Sequence, residues 1–224
     1  MNEEDTPGRT ASQVFSGMLE AASRLAAQGH YPQFRKRNPG DADCQHAGVG
    51  LDVGCVPYVT HLIGTMCILA RLGARDEVLA AALLHDYLED VPDPDGAASI
   101  RNAAGPEVLE LVLAVTENKR RELENSATWD TRKREQIAHI ATMSDDAVLI
   151  KAADLLHNLL SLVDDLDSAT DRGSVWNRFN AGSERQLWYF EAASAALERR
   201  LGDHPIVNQL GLELARLRLH VGQP

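Results

Sequence analysis

The stretch "ALLHDYLED", residues 82–90, decides how this chain is read. It opens as a buried helix would, with Ala82, Leu83 and Leu84, and then places His85, Asp86, Glu89 and Asp90 within two turns. A packing helix has no use for so many ionisable groups, because burying a charge is costly unless it is paired or bound to a metal. On a continuous helix His85 shares a face with Glu89, and Asp86 with Asp90. His85 and Asp86 diverge by about 100°, so they serve one ion only if it lies between their two directions. The plainer alternative is a hydrogen-bonded core histidine followed by a solvated helix end.

Two other segments pose the same question. "LIKAADLLHNLLSL", residues 149–162, is apolar almost all round, yet Asp154 stands in its middle and Asn158 follows one turn on. Asp154 must be paired, protonated or metal-bound; a salt bridge to a Lys or Arg is the simple solution. In "VPYVTHLIGTMCIL", His61 stands among Tyr58, Leu62, Ile63 and Cys67, and alone it reads as a satisfied core histidine. Together the three helices offer two imidazoles and two carboxylates, His61, His85, Asp86 and Asp154. Such a mixed N/O set suits an ion such as Mn²⁺ or Fe²⁺, and helical bundles build metal sites from facing helices.

The rest of the chain supplies those helices. Apolar residues recur at helical spacing over about 11–28, 58–72, 76–90, 106–118, 129–143, 145–166, 183–201 and 205–219, with a short helix at "SIRNAAG". Pro106 suits a first helical turn, and "VPDPDG" terminates the helix before it. No strand alternation or internal repeat is evident. The expected fold is all-α, an irregular multi-helix bundle, with residues 1–9 a loose tail and 10–224 a single domain. The Gly-, Asp- and Pro-rich segment around 38–55 reads as a long loop.

The chain has 224 residues, 44% hydrophobic and 25% charged, with a net charge of −11. That charge argues against a nucleic-acid binder, and any anionic ligand needs local cations or a metal. Cys44, Cys55 and Cys67 are odd in number and irregularly spaced, so no disulfide framework is expected. Cys44, His46 and Cys55 lack the partners of a zinc site. The acidic start is not a signal peptide, and no apolar run spans a bilayer. A cytoplasmic protein without membrane or nucleic-acid partners is the expectation; oligomeric state is left open.

The motifs, taken in order, resemble a known family. The adjacent His85-Asp86, with an upstream His61 and a downstream Asp154, resembles the metal signature of HD-superfamily phosphohydrolases. "PYVTHLIGTMCIL", "AALLHDYLEDV", "EVLELVLAVTENK" and "LIKAADLLHNL" are similar to PYxxH, ALLHDxxEDT, VTxxK and KxADxLxN of the hydrolase domain of RelA/SpoT-type alarmone enzymes, and "HYPQFRK" to HxxQxRK. The resemblance implies a stand-alone small alarmone hydrolase of the stringent response. Its reaction would be Mn²⁺-dependent removal of the 3′-pyrophosphate of (p)ppGpp, giving GDP or GTP and pyrophosphate. It implies His61, His85, Asp86 and Asp154 as metal ligands, and Glu89 and Asp90 as the catalytic pair that positions and activates water. It further implies that Arg35 and Lys36 pack around the base, that Asn158 contacts the nucleoside, and that Arg185 and Tyr189 contact phosphate and sugar.

The chain departs from the pattern at Val91 for Thr, at Leu155 and Leu160 where Arg or Lys is usual, and in an insertion of about 10 residues before Tyr58. These departures spare the metal ligands and fall on the substrate side. The same chemistry on another nucleotide, such as (p)ppApp, a nucleoside phosphate or NADPH, is the alternative; a catalytically silent nucleotide-binding module is a third reading. Trp176, Phe179, Trp188 and Phe190 are read as packing groups, and His157 as a structural residue turned away from the face of Asp154.

Overall fold

The computed structural model describes residues 15–31, 33–35, 56–120, 122–123, 125–179 and 181–221. In chain order the elements are α1 (Gly17–Gly29), β1 (Phe34–Arg35), β2 (Val56–Pro57), α2 (Val59–Arg71), α3 (Asp76–Leu84) and α4 (Tyr87–Asp90), followed by α5 (Gly96–Ala104) and α6 (Pro106–Val115). The C-terminal half holds α7 (Asn125–His139), α8 (Asp145–Ser168), α9 (Arg172–Trp176), α10 (Ser183–Leu201) and α11 (Pro205–Arg218). The architecture is all-α, as the periodicity predicts. Residues 1–9, Lys36, Cys44, His46, Cys55 and the 38–55 segment, for which the sequence carries expectations, lie outside the described residues.

α3 is the hub. Every residue from Val78 to Leu84 is buried, because α1, α2, α5, α6 and α8 pack round it. Its small residues Ala80, Ala81 and Ala82 let those neighbours approach closely. α8 is the long spine, 24 residues and therefore about 36 Å. The Ser144 hydroxyl caps it by accepting from the Ala147 N–H at 3.3 Å, and Asp145 and Asp146 favour the positive end of its dipole. Its buried face packs on α2, α3, α6, α10 and α11.

Two departures from the sequence expectation matter for the site. The helix expected over 76–90 is two helices. α3 ends at Leu84 and α4 restarts at Tyr87, with Asp86 at φ −95°, ψ 0° as its cap. The Asp86 carbonyl accepts from Glu89 N–H at 3.1 Å and Asp90 N–H at 2.9 Å. The break re-aims His85 and Asp86, so the single-helix angle no longer separates them. The second departure is a two-residue antiparallel ladder pairing Phe34 with Pro57 and Arg35 with Val56. It anchors Arg35 beside the start of α2. The periodicity also missed α9 and placed the start of the first helix too early; Ser16 caps α1 by accepting from Leu19 N–H at 3.4 Å.

Candidate active site

The break after α3, the first turn of α2 and the middle of α8 converge. His61 Nε2 and His85 Nε2 face one another at 3.3 Å. Asp86 Oδ2 lies 3.2 Å from His85 Nε2 and 3.7 Å from His61 Nε2. Asp154 Oδ1 lies 3.2 Å from His61 Nε2 and 3.6 Å from His85 Nε2. His61, His85 and Asp86 each offer a ligand atom within 4.8 Å of the others. All four side chains are largely withdrawn from solvent.

Each of the four side chains is held from behind by a second partner, as the ligands of metal sites generally are. His85 Nδ1 donates to the Ala82 carbonyl at 2.8 Å, which turns Nε2 towards His61, Asp86 and Asp154. His61 Nδ1 meets His157 Nδ1 at 2.9 Å. The Tyr58 hydroxyl donates to Asp86 Oδ2 at 2.6 Å. Burial, then the charge of Asp86, push the Tyr58 phenol well up, so it stays a donor. Lys151 donates to Asp154 Oδ2 at 2.9 Å, while Asn158 Nδ2 donates to Oδ1 at 2.6 Å. The expected salt bridge of Asp154 is present through one oxygen, and its other oxygen faces the imidazoles.

The electrostatics favour positive charge at the centre. Burial opposes a charged His85, but Asp86 and Asp154 outweigh it and raise its pKa well above the ordinary value. Burial also opposes the two carboxylates, yet His85 holds Asp86 low and Lys151 holds Asp154 low. His61 is lowered by burial, with Asp154 offsetting it in part. Two imidazole nitrogens and two ionised carboxylates, each oriented by a second partner, form an N/O donor set that fits a divalent cation.

Asp86 and Asp154 of this cluster line a cavity of about 530 Å³. Glu89 and Asp90 line it. Glu89 Oε1 accepts from the Glu117 N–H at 2.6 Å, Lys119 sits 3.4 Å from its Oε2 and pairs with Asp90. Burial, then the charge of Asp86, push the Glu89 carboxyl up to about 7, against Glu117 N–H and Lys119. Gln33 donates to the Asp90 carbonyl at 2.8 Å and is itself bonded to His30 at 2.8 Å. Arg35 Nη2 donates to Asn158 Oδ1 at 2.7 Å, and its Nη1 is 3.3 Å from His157 Nδ1.

The sequence profile of the HD domain matches residues 45–182, more than half of the chain. This chain is a member of the HD-domain family. Guanosine-3′,5′-bis(diphosphate) 3′-pyrophosphohydrolase MESH1 of Danio rerio is 32% identical over 155 residues, covering 68% of this chain and 76% of that protein. Its counterpart in Xenopus tropicalis is 32% identical over 192 residues, covering 85% and 88%. A solved structure described as a metazoan ortholog of SpoT that hydrolyzes ppGpp is 30% identical. It superposes with a TM-score of 0.65 over 94% of this chain and 99% of its own.

Within this HD domain, His61, His85, Asp86 and Asp154 come together, and Glu89, Asp90, Arg35, Asn158 and Tyr189 line the adjoining cavity. Arg185 does not line it: its Nη2 is 2.9 Å from Asp130 and its guanidinium lies over the Trp129 ring. Phe179, read as a packing group, is 38% exposed and lines the cavity. His157 is not turned away from Asp154, because three residues advance 300°, only about 60° short of a full turn. Its ring fits against α2 because residue 64 is glycine; a Cβ there would lie 2.1 Å from His157 Nε2. Sequence reading also missed Lys151, Arg132, Lys133 and Arg178. The spacing of Lys151, one turn before Asp154, could have found the first. Arg178 follows an irregular segment and carries no such signal.

Proposed function

We propose that this protein is a divalent-metal-dependent hydrolase that removes the 3′-pyrophosphate of guanosine 3′,5′-bis(diphosphate), or its 5′-triphosphate form, releasing pyrophosphate and GDP or GTP. The observation that carries this reading is the convergence of four donor atoms from α2, the α3–α4 break and α8 beside Glu89, Asp90 and the Arg35–Asn158 pair. We assign His61, His85, Asp86 and Asp154 as the ligands and Mn²⁺ as the ion. When bound, the ion supplies Lewis-acid polarisation of the phosphoryl group.

The chain's own residues do the rest. Glu89, with a pKa near neutrality, is suited to take the proton of the attacking water, and Asp90 helps to orient that water. Water oxygen bonds to the proximal phosphorus of the 3′-pyrophosphate; the bond to the ribose 3′-oxygen breaks, and that oxygen leaves to be protonated. Arg35 stacks on or brackets the base, Asn158 contacts the nucleoside, and Tyr189 offers a sugar contact. Lys36 is assigned to the base from the motif alone. Arg185 reaches phosphate only by leaving Asp130.

The test is product analysis of purified protein with Mn²⁺ across ppGpp, pppApp and NADPH. The reading predicts pyrophosphate and GDP from ppGpp, abolished by chelation. Turnover of another substrate with ppGpp untouched contradicts it. Tight ppGpp binding with no product would instead mark a binding module.

A further inference from the structure

We infer that the end of the cavity remote from the metal ligands is a subsite for the 5′-phosphates of the nucleotide, closed by Arg178. This rests on the substrate class proposed above and adds a second anion site to it. The first observation is a polar stripe on α8. Asp154, Asn158, Ser161 and Asp165 recur at spacings of four, three and four, and all line the cavity. On a helix those positions fall within about 60° of one another, and eleven residues span about 16 Å. The stripe is therefore a ruler along the cavity floor. Asp154 marks the reacting end, Asn158 with Arg35 the nucleoside, and Asp165 the far end.

The second observation is what stands at that far end. Asp165 holds Arg178 at 3.0 Å. Arg178, Arg132 and Lys133 line one lobe of about 280 Å³ with Trp129, Phe179 and Gln186; Lys119, which also lines it, is paired with Glu89 and Asp90 and belongs to the reacting end. No carboxylate lines that lobe among the described residues, in a chain of net charge −11. Arg132 and Lys133 share the single carboxylate of Glu117, so that pair keeps a surplus positive charge. Arg178 Nε is buried without a hydrogen-bond partner among the described residues. A buried guanidinium N–H left unpaired is costly, and a phosphate oxygen is the acceptor that guanidinium groups match best. An anionic group two or more helical turns from the metal ligands, joined to them through a nucleoside, is a 5′-phosphate chain.

The experiment uses three substrates that share a guanosine 3′-diphosphate end and carry a 5′-diphosphate, a 5′-monophosphate or a 5′-hydroxyl. The full-length Mn²⁺-loaded protein should lose about tenfold or more in kcat/KM as the 5′-phosphates are removed, mostly through KM. Arg178→Gln should bring that ratio towards one, with Arg178→Lys restoring part of it. Equal kcat/KM for the three substrates, or a ratio that survives in Arg178→Gln, overturns the subsite. If the lobe instead receives the leaving pyrophosphate, Arg178→Gln weakens product inhibition by pyrophosphate and leaves the ratio intact, which also overturns it. Calorimetric titration with GDP and with guanosine needs no turnover. GDP should bind more tightly than guanosine, and Arg178→Gln should erase the difference. Should none of the three substrates release pyrophosphate, the hydrolase reading fails, while this titration still decides the subsite.

Discussion

At the scale of single residues the site sets stability against activity, and Glu89 shows it. Its carboxyl is raised to about 7 from an ordinary 4.5 by burial and by Asp86. A raised carboxyl gives the fold stability that is present below its unfolded pKa and lost as pH rises through the folded value. In chelator, Glu89→Gln should therefore raise Tm by a few degrees above pH 7, the gain fading below about pH 5. The same substitution should cost about 10²–10⁴ in kcat with metal content retained, since a proton acceptor is removed and a ligand is not. A thermal melt series and steady-state kinetics check the two halves; unchanged turnover would remove Glu89 from its role. The wild-type rate should climb with pH up to about 7, because the acceptor must be ionised, and a rate flat from pH 5 to 8 would contradict this. His157 belongs at this scale too. His157→Leu keeps bulk but removes the acceptor behind His61, so Mn²⁺ affinity by calorimetry should fall about 10- to 100-fold.

At the scale of elements the motif residues were legible and their geometry was not. Asp154 announced itself as a carboxylate in an apolar helix, and His61, His85 and Asp86 became a set once three helices carried them. The break at His85-Asp86 was hidden because "LLHDYLED" holds no Gly or Pro and reads as unbroken helix; packing, rather than propensity, ends α3 there. The β1–β2 ladder, two residues on each side, is too short to show alternation. Arg178 was invisible because only the fold brings it to Asp165. Gly64 lies inside α2, where glycine costs helix propensity, and it leaves room for the His157 ring. Gly64→Ala gains helix propensity of about 1 kcal/mol but should lower Tm and weaken Mn²⁺ binding together. A more stable variant with unchanged metal affinity would show that the ring has another place to go. Ser144→Ala, which removes the α8 cap far from the ligands, should cost about 1 kcal/mol without altering metal affinity.

At the scale of the whole molecule, a hub helix and a long spine bring together His61, His85, Asp86 and Asp154 from distant parts of the chain. No helix of the described residues is long and apolar enough to cross a membrane. In a chain of net charge −11 the cavity is lined by Arg35, Lys119, Arg132, Lys133, Lys151 and Arg178, so an anionic substrate would be drawn in by a local field against the net charge. Because the ion would bridge α2, the α3–α4 break and α8, its binding should stabilise the fold as a ligand does, by about 2.7 kcal/mol at a hundredfold excess over Kd. The most direct measurement of the central claim is an anomalous difference map from crystals grown with Mn²⁺. One peak within bonding distance of His61 Nε2, His85 Nε2, Asp86 and Asp154 is predicted, lost in Asp154→Ala. A peak elsewhere, or one that the Asp154 carboxylate does not reach, would contradict the account.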